Sequence, residues 1–212
     1  MSSNGENGRR TSTIETVEIL EAALSAFAEK GYDGTSVRDI ARRLGASHNM
    51  IPVRIGTKEQ LWYAAVDHGF ASLFASLATT FEVDTYDSDL ERYRAVVTRF
   101  VEANAARPAL SRIIGQEAQV DGPRLDHLYQ AWIRPFAAFG ETQLPHLRER
   151  GMVRFDSVPL MYFFMTFGAG GAAAYPALAR RFGGELPAGD PAAARRHAEE
   201  AVAFMFDGLI IR

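Results

Sequence analysis

Thr35 to Lys58, TSVRDIARRLGASHNMIPVRIGTK, is the stretch that decides how the rest of the chain is read. Ser36-Val37-Arg38-Asp39 fits the S-x-x-D capping box that opens a helix. Val37, Ile40, Ala41 and Leu44 follow at helical spacing and form one apolar stripe. Gly45 comes just after the last of them, where a left-handed residue ends a helix. Ser47 is placed to cap a second short helix holding Met50, Ile51 and Val53. Two short helices joined by a glycine-containing turn make a helix-turn-helix, whose second helix can enter a DNA major groove. Arg38, Arg42, Arg43, Arg54 and Lys58 surround the unit against Asp33 and Asp39, an excess of positive charge that suits phosphate.

Pro52 constrains the second helix. With Ser47 as cap, Pro52 would be the fifth helical residue, where the missing N–H and the ring clash cost about 3 kcal/mol. A cap at Asn49 places Pro52 in the first turn, where proline is tolerated. The sequence therefore predicts a helix that starts late, is very short, or is distorted.

Working outward, the run from Ile19 to Trp62 resembles the N-terminal domain of the TetR family of transcriptional regulators. The resemblance is carried by Ala22-Ala23, Phe27, Gly31-Tyr32, Thr35-Ser36-Val37, Asp39-Ile40-Ala41, Gly45, Ser47 and Lys58-Glu59. It implies an all-α, dimeric, ligand-responsive repressor: a three-helix helix-turn-helix domain followed by a helical ligand-binding and dimerisation domain. The chain departs from the family at Pro52, where a typical member has a tyrosine that touches a phosphate. Arg54 is the candidate to compensate through a charge-assisted contact. Asn49 is the candidate base reader, since its amide pairs bidentately with adenine. Ser47 and His48 stand beside it at the front of the second helix. Thr35, Ser36, Arg38 and Lys58 are expected to hold phosphates, which position the protein without reading sequence.

Around this unit, the N-terminal MSSNGENGRRTST reads as a polar disordered arm over residues 1–12, not a secretory signal. Ser12-x-x-Glu15 is a second capping box, and Val17, Leu20, Leu24 and Phe27 mark the buried face of helix 1, which ends at Gly31. The helix-turn-helix domain is drawn over residues 13–58 and the body over 59–212. Thr57-Lys58-Glu59-Gln60 opens a long helix through which any body-to-head signal must pass. In the body, helices are expected at about 90–106, from Pro108, over 125–150 with a kink near Pro135, at 158–181 and at 191–211. Arg107-Pro108, Glu117 and Gly151-Met152-Val153-Arg154 also resemble the body of that family.

Composition agrees with a small head on a larger body. The chain has 212 residues, 47% hydrophobic content and a net charge of −3, so any nucleic-acid surface must be local. Cysteine is absent, which suits a reducing cytoplasm. Residues 157–179 contain no charge and are long enough to span a bilayer. The glycines and alanines in their second half favour a buried dimerisation helix, and no membrane partner is expected.

Phe100, Trp132, Phe136, Phe163 and Phe167 supply the apolar surface of a ligand cavity, with Glu117 and His127 as polar residues among them. They point to a hydrophobic small-molecule effector. The five histidines show no metal-ligand spacing, and no GxSxG elbow, P-loop or dinucleotide fingerprint is present. No enzyme, cofactor or metal is expected. The expected partners are a palindromic double-stranded DNA operator and a second copy of the chain. The alternative, motivated by Pro52, is a hydrophobic-ligand binding protein of the same fold that lacks specific DNA binding.

Overall fold

The computed structural model describes residues 14–81, 86–184 and 190–210. The fold is all-α. Among the described residues the sole extended pairing is an antiparallel bridge between Val153 and Ile210. Two compact units form, Met1–Gly69 and Phe70–Arg212. The division falls inside the fourth helix, later than the 58/59 boundary drawn from the sequence. The first half of that helix belongs to the head, where Leu61, Trp62, Ala65 and Val66 are completely buried. The expected arm, with Arg9, Arg10 and Ser12, lies outside the described residues.

The head is built from α1 (Thr16–Gly34), α2 (Val37–Arg43), α3 (Met50–Arg54) and the start of α4 (Lys58–Phe81). α1 is capped at Glu15, whose N–H donates to Glu18 Oε2 at 2.8 Å. Gly31 breaks the helical backbone with φ 71°. α2 ends in a Schellman turn. Gly45, at φ 66°, donates to the Arg42 carbonyl, and Ala46 donates to the Ala41 carbonyl at 2.9 Å. Thr57 and Gln60 form the expected capping box of α4, with reciprocal bonds of 2.8 and 3.1 Å. Ile19, Phe27, Ile40, Ile51 and Trp62 close the head's core.

The body contains α5 (Asp89–Ala106), α6 (Pro108–Glu117), α7 (Pro123–Leu128), α8 (Arg134–Glu149), α9 (Val158–Phe163), α10 (Gly171–Ala174), α11 (Pro176–Arg181) and α12 (Pro191–Leu209). The kink expected near Pro135 is a π-turn over Tyr129–Ile133. Pro135 has no N–H, and the Arg134 N–H instead reaches five residues back to the Tyr129 carbonyl. The continuous helix expected over 158–181 is corrected to α9, a second π-turn (Phe164–Ala169), α10 and α11. Pro176 interrupts the backbone ladder there. At Gly170 an added Cβ would come within 2.3 Å of the Thr166 carbonyl, so only glycine allows that turn. Among the described residues no helix is long and apolar enough to cross a membrane. α12 packs along α5, with Phe206 against Tyr93 at 6.1 Å and under the Arg94 guanidinium.

Thr35 is expected to carry a structural load. Its side chain is 4% exposed, and its hydroxyl donates to the Gly31 carbonyl at 2.7 Å, with the Ala26 carbonyl at 3.1 Å. Thr35→Val keeps the shape and removes the donor. It should lower the unfolding free energy by about 1–3 kcal/mol in urea titrations, and Thr35→Ser should lose less.

Candidate nucleic-acid interface

α3 starts at Met50 with Asn49 as its cap residue, so Pro52 is the third helical residue. The late, short helix expected from Pro52 is the one that forms. Ser47 is not its side-chain cap; the Ser47 carbonyl accepts the Met50 N–H at 3.1 Å. The Asn49 side chain makes no cap bond, and Ser47, His48 and Asn49 are all exposed. Ile51 is completely buried and Val53 is 82% exposed, so the helix has one side in the core and the opposite side in solvent.

The expected phosphate set divides. Thr35 is withdrawn from it, because its hydroxyl is buried and already donated within the head. Ser36 occupies the cap position of α2, but its hydroxyl makes no cap bond and remains available at the surface edge. Arg42 pairs with Asp39, and Arg43 with Glu29 at 3.0 Å. The Arg43 guanidinium holds the Glu29 carboxyl below the usual range. Lys58 Nζ sits 4.4 Å from the Tyr32 ring centroid and 3.4 Å from the Asp33 carbonyl. Arg38 is exposed, and no hydrogen bond or ion pair engages its guanidinium among the described residues. Arg54 is turned back: it donates to the Ile14 carbonyl and to Thr16 Oγ1 at 2.9 Å. In this structure it straps α3 to the start of α1. The sequence did not reveal this bond, whose partners are 38 and 40 residues away.

Residues 19–65 match the family model described as bacterial regulatory proteins, tetR family. Over these residues the head resembles that family. An HTH-type transcriptional repressor of Mycobacterium tuberculosis is 38% identical over 81 residues, covering 38% of this chain and 43% of its own length. The matched region thus spans less than half of that relative. Solved structures extend the likeness in fold. A ketosteroid transcriptional regulator of Mycobacterium tuberculosis has a TM-score of 0.72 at 22% identity, covering 94% of this chain and 98% of its own. A TetR family transcriptional regulator of Thermus thermophilus has a TM-score of 0.63 at 23% identity, covering 94% and 100%.

In the body, Phe100 stacks on Phe136 at 4.2 Å, and Trp132 stacks on Phe70 at 5.6 Å. Two voids lie among these rings. One, about 10 Å³, is bordered by Phe74, Phe100, Asn104, Trp132, Phe136 and Tyr162. The other, about 20 Å³, is bordered by Tyr93, Phe136, Phe139, Met161, Tyr162 and Met165. Each has room for about one water. Phe136 and Tyr162 border both. Burial pushes the Tyr162 phenol up to about 12, so it stays a neutral O–H donor at physiological pH.

The other expected ligand residues lie elsewhere. Phe163 is 60% exposed and stacks on Phe167 at 5.8 Å. Glu117 is paired with Arg124 at 2.8 Å, which ties α6 to α7. His127, on α7, is not among the residues bordering either void. Among the described residues no cluster of three or more His, Asp or Glu is placed to hold a metal.

Arg54→Ala should free the end of α3 without unfolding the head. The amides of Val53 and Ile55 are expected to exchange with solvent about tenfold faster, from loss of charge-assisted bonds. Hydrogen-exchange mass spectrometry or NMR reads this directly, and unchanged exchange would show that the strap is not holding the helix.

Proposed function

We propose that the protein is a transcriptional regulator, a repressor, that binds a near-palindromic operator as a homodimer and releases it when a hydrophobic small molecule enters the body. The observation that carries this reading is the solvent face of α3. Asn49 is exposed with its amide uncommitted to the helix, and the neighbouring α2 holds out Arg38, unpaired among the described residues. That combination offers one group for base edges and one for phosphate. The Mycobacterium tuberculosis relative bears the name of a repressor.

The homodimer is supported by apolar side chains left in solvent along the last helices. Leu160, Phe163, Leu178, Phe182 and Phe204 are each more than half exposed, and Phe182 reaches 85%. An open groove of about 720 Å³ runs between Tyr175, Leu178 and Phe182 on one side and Arg196 and His197 of α12 on the other. Monomeric proteins rarely expose so much apolar surface. A symmetric pair would set two heads about 34–36 Å apart, one turn of duplex, or a multiple of that distance.

The effector reading is supported by the ring-lined voids, which hold no charged side chain on their borders. A neutral apolar compound would have to displace Phe136 to enter, and the Tyr162 hydroxyl offers it a hydrogen bond. Its power over DNA binding equals its differential affinity for the two arrangements of the dimer. Such a regulator works in the cytoplasm, where its operator is.

A gel shift on duplexes from the protein's own upstream region tests the reading. The wild type should retard one duplex selectively and release it as salt rises. Arg38→Ala should weaken binding to every sequence alike and reduce the magnitude of the salt slope by about 1. No retardation even at low salt would replace the regulator with the hydrophobic-ligand binding protein.

A further inference from the structure

The outward side of α3 carries no charged group. The Val53 N–H donates to the Asn49 carbonyl at 3.1 Å, the i to i+4 bond that places the two residues on one face. Both are exposed there, opposite the buried Ile51. Arg54, the one cation on the helix, is strapped back to Ile14 and Thr16. An exposed valine scattered elsewhere would be ordinary surface. This one stands beside a base-reading amide on the second helix of a helix-turn-helix.

We propose that Val53 is a specificity residue that reads a thymine methyl group, and that α3 selects an A·T core in each half-site. This rests on the DNA-binding reading above. A valine side chain has no donor or acceptor. Against guanine, cytosine or adenine it would desolvate base-edge groups and return nothing. Thymine alone presents a methyl in the major groove. Asn49 supplies the complementary preference, since its amide matches the N6 and N7 of adenine. Side chains four residues apart on a helix are separated by about 5–6 Å. Base pairs rise about 3.4 Å per step. The thymine read by Val53 therefore lies one or two steps from the adenine read by Asn49. Guanine recognition, which arginine or lysine commonly provides, is absent from this face, and any G·C preference must come from outside α3.

The test uses the full chain and an operator selected from random duplexes. Each thymine of the half-site is replaced in turn by deoxyuridine, which removes only the methyl. At one position per half-site the wild type should bind about fourfold more weakly, the worth of one buried methyl. Val53→Ala should lose that sensitivity while folding normally, because the residue is exposed. Asn49→Ala should relax the preference for adenine at the neighbouring position by about tenfold or more. Sequence-selective binding that ignores every deoxyuridine, or a sensitivity that persists in Val53→Ala, would overturn this assignment and leave the DNA-binding reading standing. Failure to select any operator would overturn both.

Discussion

A proline that cannot donate a backbone hydrogen bond sets the geometry of the head. Pro52 must fall in the first turn of its helix, so α3 begins at Met50 and has five residues. A helix of that length does not stand alone in water. It is held from below by Ile51, completely buried, and from the side by the Arg54 strap to α1. The side left over is short, neutral and exposed. What that face can recognise follows from this constraint.

The charge around the motif is organised more narrowly than its composition suggests. Arg42 and Arg43 are engaged by Asp39 and Glu29, and Lys58 is shared between a ring and a carbonyl. Exposed pairs of this kind are worth about 0–1 kcal/mol, so they arrange the surface more than they stabilise it. Arg38 keeps its charge unpaired among the described residues. An effective phosphate contact needs such a group, because a cation already paired must first give up its partner.

Part of the local chemistry was legible in the sequence. The Gly45 turn, the Thr57–Gln60 capping box and the effect of Pro52 each depend on a few adjacent residues, and each forms as read. Contacts distant in sequence were not legible. Nothing near Thr35 announces that its hydroxyl turns inward to Ala26 and Gly31, and nothing near Arg54 announces Ile14. In the body, Phe100, Trp132 and Phe136, expected at a ligand cavity, border a void of about 10 Å³. Aromatic composition could not tell them from Phe163, which sits on α9 and is 60% exposed. The π-turn over Phe164–Ala169 and Pro176 interrupt a helix that charge-free composition alone made look continuous.

Hydroxyl-radical footprinting of the selected operator, bound by the full chain, bears most directly on the claim that paired copies of α3 grip duplex DNA. Two protected patches on one side of the duplex, spaced by about 10–10.5 base pairs or a multiple, are the predicted result. A single patch, or uniform cleavage at saturating protein, would contradict it.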